Sequence, residues 1–191
     1  MAIASMMLRL GTAAPPFALR DVVSEHMYSL DSFTGKAALL VMFLCRHCPY
    51  VEHVQYEIAK IGQDYYDTGL GLIGISSNDP VQYPDDAPER LKDMAQQLTL
   101  RFPLCFDDTQ AVAKAYKASC TPDFYLFDTH RRLVYRGQLD DSRPSNNKPV
   151  TGHDLRAAID ALLAGTPIDF NQKASIGCSI KWKPGNAPPY A

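Results

Sequence analysis

Two cysteines, Cys45 and Cys48, flank Arg46 and His47 where an apolar run, Ala37 to Leu44, gives way to helical spacing. The helical stretch carries Val51, Val54, Ile58, Ile61 and Tyr65 at three- and four-residue intervals. A Cys-x-x-Cys at a helix start holds its sulfurs close enough for a strained but formable disulfide. The helix N-terminus favours an anion, which predicts a lowered pKa for the more exposed thiol, assigned to Cys45. Arg46 and His47, when protonated, are expected to lower it further. A stabilised thiolate favours the reduced pair, so the couple is predicted to be more oxidising than one with neutral intervening residues. The chemistry is thiol–disulfide exchange, with Cys45 attacking as thiolate and Cys48 resolving the mixed disulfide.

The same residues admit other chemistry. Structural zinc needs four ligands, and the other candidates, Cys105 and Cys120, stand fifteen apart with no histidine between them. No metal is therefore expected, although His47 and His53 keep a metal-binding reading open as an alternative. Two inert core cysteines would contradict the strand-end position, which exposes at least one.

The elements that must position this pair follow from periodicity. Pro15 to Leu19 and His26 to Leu30 flank a polar turn and predict a short hairpin. Ala37 to Leu44 reads as a strand buried on both faces, followed by a helix from Cys48-Pro49 that Gly69 ends. Leu70 to Ser76 is a second buried strand, parallel to the first through a right-handed crossover. Beyond an Asp- and Pro-rich loop, Asp86 and Glu89 form a capping-box pattern for a helix with Leu91, Met94, Ala95 and Leu98 on its inner face. A short strand at 102–106 and a short helix at 109–116 follow. Phe124 to Phe127 and Leu133 to Tyr135 then read as an antiparallel hairpin. Arg136 and the charges from Asp140 to Arg143 read as a solvated loop, with Arg136 able to support a thiolate if the fold brings it near. Thr151 and Asp154 cap a last helix bearing Leu155, Ile159, Leu162 and Leu163, which Gly165 stops. The predicted class is α/β: a mixed central sheet with helices on both faces, an N-terminal β-hairpin and a C-terminal extension. Residues 1–165 are expected to form the domain, and 166–191 an extension packed on it through Trp182.

The chain has 191 residues, 19 basic and 21 acidic, for a net charge of −2. That length fits one domain, and the balance leaves no basic field for nucleic acid. No apolar run approaches the roughly 18 residues of a membrane span. Met1 to Leu8 lacks the basic region and cleavage site of a secretory signal. Five cysteines is an odd count, unlike a secreted disulfide scaffold. A reduced, cytoplasmic protein is expected.

Ser119-Cys120-Thr121-Pro122 stands immediately before the strand that starts at Asp123. A Cys-x-x-Cys at a strand-to-helix junction, followed by Thr-Pro opening a later hairpin, resembles the thioredoxin superfamily. The resemblance implies that Pro122 is cis and packs beside the cysteine pair, while the Thr121 backbone pairs with substrate as an extra strand. Pro-Pro-Phe-Ala-Leu, Ser-Leu-Asp-Ser-Phe and Gly-Lys near the start resemble the N-terminal hairpin of the alkyl hydroperoxide reductase/thiol-specific antioxidant branch. His-Cys-Pro-Tyr-Val, Cys-Thr-Pro-Asp-Phe, Tyr-Arg-Gly-Gln-Leu-Asp-Asp-Ser-Arg-Pro and Ser-Ile-Gly-Cys resemble a peroxiredoxin-like subgroup of bacterial thioredoxin-family proteins.

Three departures shape the expected chemistry. Leu44 stands where thioredoxins usually carry tryptophan. Leu39 stands in place of their buried acid, leaving proton handling to His47, Glu52 or water. The Pro-x-x-x-Thr/Ser-x-x-Cys of a peroxiredoxin is absent in both phases: Val41 and Cys45 precede Cys48, and Ala38 and Met42 precede Cys45. Disulfide exchange is accordingly preferred, with thiol peroxidase as the alternative. Cys120 and Cys178 offer a second thiol pair, or else two small buried hydrophobes; Cys105 reads as core. No organic cofactor is implied. The partners expected are a protein or small-molecule disulfide and an external thiol donor, with neither nucleic acid nor membrane.

Overall fold

The structure is a computed structural model that describes residues 2–191. Strand β1 (Ala2–Ala4) opens the chain, and β2 (Ala18–Asp21) and β3 (Met27–Ser29) form the antiparallel hairpin. Strand β4 (Ala38–Phe43) leads to helix α1 (Pro49–Asp64) and then β5 (Leu70–Ser76). Helix α2 (Pro88–Gln97), β6 (Leu104–Phe106) and the short α3 (Ala111–Ala115) follow. The rest comprises β7 (Cys120–Thr121), β8 (Asp123–Phe127), β9 (Leu133–Gly137), α4 (His153–Leu163) and β10 (Ile176–Ser179). Seven strands make a mixed sheet in the order β3-β2-β6-β5-β4-β8-β9. β5 runs parallel to β4 and β6, whereas β8 is antiparallel to β4.

All of β4 is buried, because both its faces are covered. Leu40 and Met42 pack with Val51, Val54 and Ile58 of α1 and Leu155 and Ile159 of α4. Leu39, Val41 and Phe43 point the opposite way, toward Phe17, Phe33, Val112 and Tyr116. This two-residue alternation explains why the strand reads as continuously apolar. Gly165 stops α4 as expected, with a φ of +67° and its N–H donating to the Leu162 carbonyl.

Several sequence expectations are corrected. Helix α1 ends at Asp64 rather than running to Gly69, which instead turns the chain into β5 at a φ of +87°. The capping box of Asp86 and Glu89 does not form. Ala87 is the N-cap of α2, and the buried Asp86 turns away toward the cysteine loop. Asp140 and Ser142 are buried rather than solvated. Asp140 accepts the Thr151 and Gly152 N–H groups, each at 2.7 Å, at the start of α4.

Arg136 is also buried, at 0% exposure, and is no loop residue. It lies opposite Tyr125 in the β8–β9 ladder and pairs with Asp123 at 3.2 Å, and the thiol its charge acts on is Cys120. Ser5 and Tyr125 hydroxyls each donate to the same Asp123 oxygen at 3.0 Å. Removing one member of a buried pair strands the other charge. Asp123→Ala is therefore expected to lower unfolding stability in urea by about 3–5 kcal/mol. A loss under about 1 kcal/mol would show that water reaches Arg136 and solvates it.

A second sheet was not foreseen: three strands in the order β1-β10-β7. The C-terminal segment supplies its middle strand. Past that strand, Lys181 N–H donates to Asn78 Oδ1 at 2.8 Å, and Trp182 packs on the second core face.

Candidate active site

Cys45 and Cys48 occupy the loop from β4 into α1. Cys48 is the N-cap residue, and Pro49 fills the first helical position, where a missing N–H costs nothing. The Thr121–Pro122 peptide faces the pair and is cis. Thr121 Oγ1 lies 3.0 Å from Cys45 Sγ, and the Cys48 thiol lies 3.3 Å from the Thr121 carbonyl oxygen, to which it donates when protonated. Cys45, Cys48, Thr121 and Pro122 are thus brought together.

The expectation that Cys45 is the exposed, low-pKa thiol is corrected. Both sulfur residues are 0% exposed. Burial pushes the Cys45 thiol well up; its hydrogen bond to Cys48 and the nearby Asp86 charge add to the rise. Cys48 moves the other way, down to about 5. The Cys45 hydrogen bond is the main cause, against the cost of burial, with help from the Cys178 thiol and the Val51 N–H.

Arg46 and His47 are both held by acids of the loop before α2. The Arg46 guanidinium reaches Asp85 at 3.4 Å, while His47 Nδ1 hydrogen-bonds Asp86 and its ring stacks on Tyr83. Asp86 is the residue that sequence reasoning missed. It accepts the Arg46 and His47 N–H groups at 2.7 and 3.2 Å, and the Asn78 amide donates to it at 2.7 Å. Cys45 Sγ, a His47 ring nitrogen and an Asp86 oxygen lie within 4.8 Å of one another. A fully buried acid thus stands beside the pair, delivered by the loop before α2. Leu39, at the thioredoxin acid position, points into the opposite core. Only the loop's acidic composition hinted at this, and the same residue made an acceptable helix cap.

Cys120 and Cys178 do not form a pair of their own. Cys178 stands directly opposite Thr121 in the β7–β10 ladder and packs against the core cluster that holds Cys48. Cys120 stands opposite Ser179, fully buried, with its pKa pushed up by desolvation. Cys105 is core as expected, its pKa pushed up to about 12 by burial and the Asp21 charge. All five cysteines are free thiols. His53 Nε2 lies 2.7 Å from Ser142 Oγ.

A mixed sheet that presents a cysteine pair at a helix start to a Thr-Pro turn defines a thiol-based redox protein of thioredoxin-like fold. Residues 10–136 match the AhpC/TSA family, and the chain belongs to it. An uncharacterized conserved protein of Geobacillus kaustophilus is 53% identical, with a TM-score of 0.95 over 97% of this chain and 98% of its own. A hypothetical protein of Sinorhizobium meliloti 1021 is 45% identical, with a TM-score of 0.93 over 95% of this chain and 99% of its own. A thiol:disulfide interchange protein of the thioredoxin family from Chlorobium tepidum TLS shares the fold at 16% identity, with a TM-score of 0.61 over 83% and 99% of the two chains. No curated protein matches the chain. Among the described residues, no helix is long and apolar enough to cross a membrane.

Proposed function

We propose that the protein is a thiol–disulfide oxidoreductase whose redox pair is Cys45 and Cys48. The observation that carries this reading is the cluster itself: two sulfurs at one helix start, one with its pKa pushed down to about 5, both against the Thr121–Pro122 turn. The geometry favours the reverse of the order expected from sequence. Cys48 is the thiolate and faces the strand position beside β7, which β10 fills here, so it attacks the substrate disulfide once that strand moves aside. One substrate sulfur becomes bonded to Cys48 and the other leaves as thiolate. Cys45 then gives up its proton toward the Asp86–His47 pair and attacks Cys48 Sγ. The second substrate thiol is released and a Cys45–Cys48 disulfide remains, two electrons having passed to substrate. An external thiol donor restores the pair. Five free thiols suit a reducing compartment, which we take to be the cytoplasm.

Family membership makes thiol peroxidase the second reading. The immediate polar contacts of Cys48 include a carbonyl oxygen, and the one hydroxyl, on Thr121, serves Cys45. The Thr/Ser three residues before the cysteine of a peroxiredoxin is also absent in both phases, which disfavours rapid peroxide reduction. The metal-binding reading would use Cys45, His47 and Asp86, but each Asp86 oxygen already accepts hydrogen bonds. Stopped-flow assays of the reduced protein against a peptide disulfide and against hydrogen peroxide separate these. Faster oxidation by the disulfide is expected; faster oxidation by peroxide would establish the peroxidase, and stoichiometric bound zinc or copper the metal protein.

A further inference from the structure

Neither sulfur of the pair is open to solvent, and β10 packs against both β7 and α1 beside them. That strand sits where the fold would seat an extended substrate: on β7, antiparallel, with Cys178 opposite Thr121. Its seat is shaped for close contact. A Cβ on Gly177 would fall 1.9 Å from the Thr121 carbonyl oxygen and 3.1 Å from the Pro122 nitrogen. No side chain fits there, so glycine alone lets the strand approach the turn. β1 pairs with the outer edge of β10, and Ile180 N–H donates to the Ser119 carbonyl at 2.9 Å, fixing both sides of Cys178. The residue so placed packs against the cluster that holds Cys45 and Cys48, opposite the Thr121 whose carbonyl oxygen meets the Cys48 thiol, and unlike those two it is only partly buried.

We propose that Cys178 is a third redox residue of this site, an internal substrate thiol that takes over the disulfide by exchange with Cys48. The inference rests on the Cys45–Cys48 redox reading. In the oxidised protein, Cys178 as thiolate attacks Cys48 Sγ. The Cys48–Cys178 bond forms, the Cys45–Cys48 bond breaks, and Cys45 leaves as thiolate and takes up the proton that Cys178 gave. No electrons enter or leave; the disulfide moves from two sealed sulfurs to one that a donor can reach. A donor thiolate then attacks Cys178, expelling Cys48 as thiolate, and the donor's second thiol clears the resulting mixed disulfide. Two electrons enter from the donor dithiol, which becomes a disulfide. The direction of the second step follows from leaving-group strength, since Cys48 is the more stable thiolate of the two. The Cys178 thiol is pushed up by burial and then by the Cys48 charge, and the second cause vanishes once Cys48 is in a disulfide.

The test is disulfide mapping by mass spectrometry on full-length protein oxidised with one equivalent of oxidised glutathione and then alkylated. Wild type is expected to yield both Cys45–Cys48 and Cys48–Cys178 linkages. Cys45→Ser should yield Cys48–Cys178 alone. Gly177→Val retains every thiol but displaces the strand, and should lose the Cys48–Cys178 linkage while keeping Cys45–Cys48. Regeneration of oxidised Cys178→Ser by dithiothreitol is expected to be slower on the order of tenfold. Cys178 left fully alkylated in both wild type and Cys45→Ser, with Cys45–Cys48 formed, would overturn this inference alone. Failure of Cys45–Cys48 to form in any variant that keeps both would overturn the redox-pair reading instead.

Discussion

Cys48→Ser is expected to abolish disulfide exchange, lowering the rate on the order of 10³-fold or more, and to leave no covalent substrate adduct on the protein. The ground is electrostatic and positional. Cys48 holds the thiolate because hydrogen bonding from Cys45 outweighs the cost of its burial, whereas Cys45 is buried and meets the Asp86 charge. Cys45→Ser keeps the attacking sulfur and loses the resolving one. Since Cys178 also reaches Cys48, the clean trap is Cys45→Ser combined with Cys178→Ser. That double variant should accumulate a stoichiometric mixed disulfide on Cys48 when given a peptide disulfide. An adduct on Cys45 in Cys48→Ser, with none on Cys48 in the double variant, would restore the order that the sequence suggested.

Asp86→Asn should slow resolution by about 10²-fold at neutral pH, the usual size of a lost general base. The substitution keeps the shape and two polar atoms but removes the charge beside Cys45. Wild-type Cys48 stays ionised until the pH falls through about 5, so the attack step should be level above that and decline below it. The same is expected in Asp86→Asn, because the carboxylate acts on Cys45. Resolution should differ: in the variant it rises with pH as Cys45 ionises on its own, and the Cys48 adduct builds up at neutral pH. Cys178→Ser in both proteins removes the competing resolving thiol. Equal loss in both steps, with an unchanged pH profile, would assign Asp86 a structural role only.

Much of the architecture was legible because it depends on period. The buried run of β4, the helical face of Val51, Val54 and Ile58, and the hairpin of β8 and β9 each follow from apolar spacing. The cysteine pair, too, could be placed at a helix start from local pattern alone. What stayed hidden depends on long-range contact. Asp86 lies 40 residues beyond Arg46 along the chain, and its spacing to Glu89 fits a helix cap equally well. Arg136 extends a strand whose pattern of charge says solvent, and only its place opposite Tyr125, over Asp123, makes it core. Ile176 to Ser179 is too short and too glycine-dependent to read as a strand; it becomes one because β7 offers an edge. The misplaced thiolate has the same origin, since the hydrogen bonds that decide it include one from that strand.

The reduction potential of the Cys45–Cys48 pair, measured on Cys178→Ser by equilibration with glutathione buffers, tests the central claim most directly. A single two-electron couple is expected, lying above the roughly −270 mV of thioredoxin because the Cys48 thiolate stabilises the reduced form. A pair that stays dithiol across the whole range, or a potential below about −300 mV as in inert structural disulfides, would contradict it.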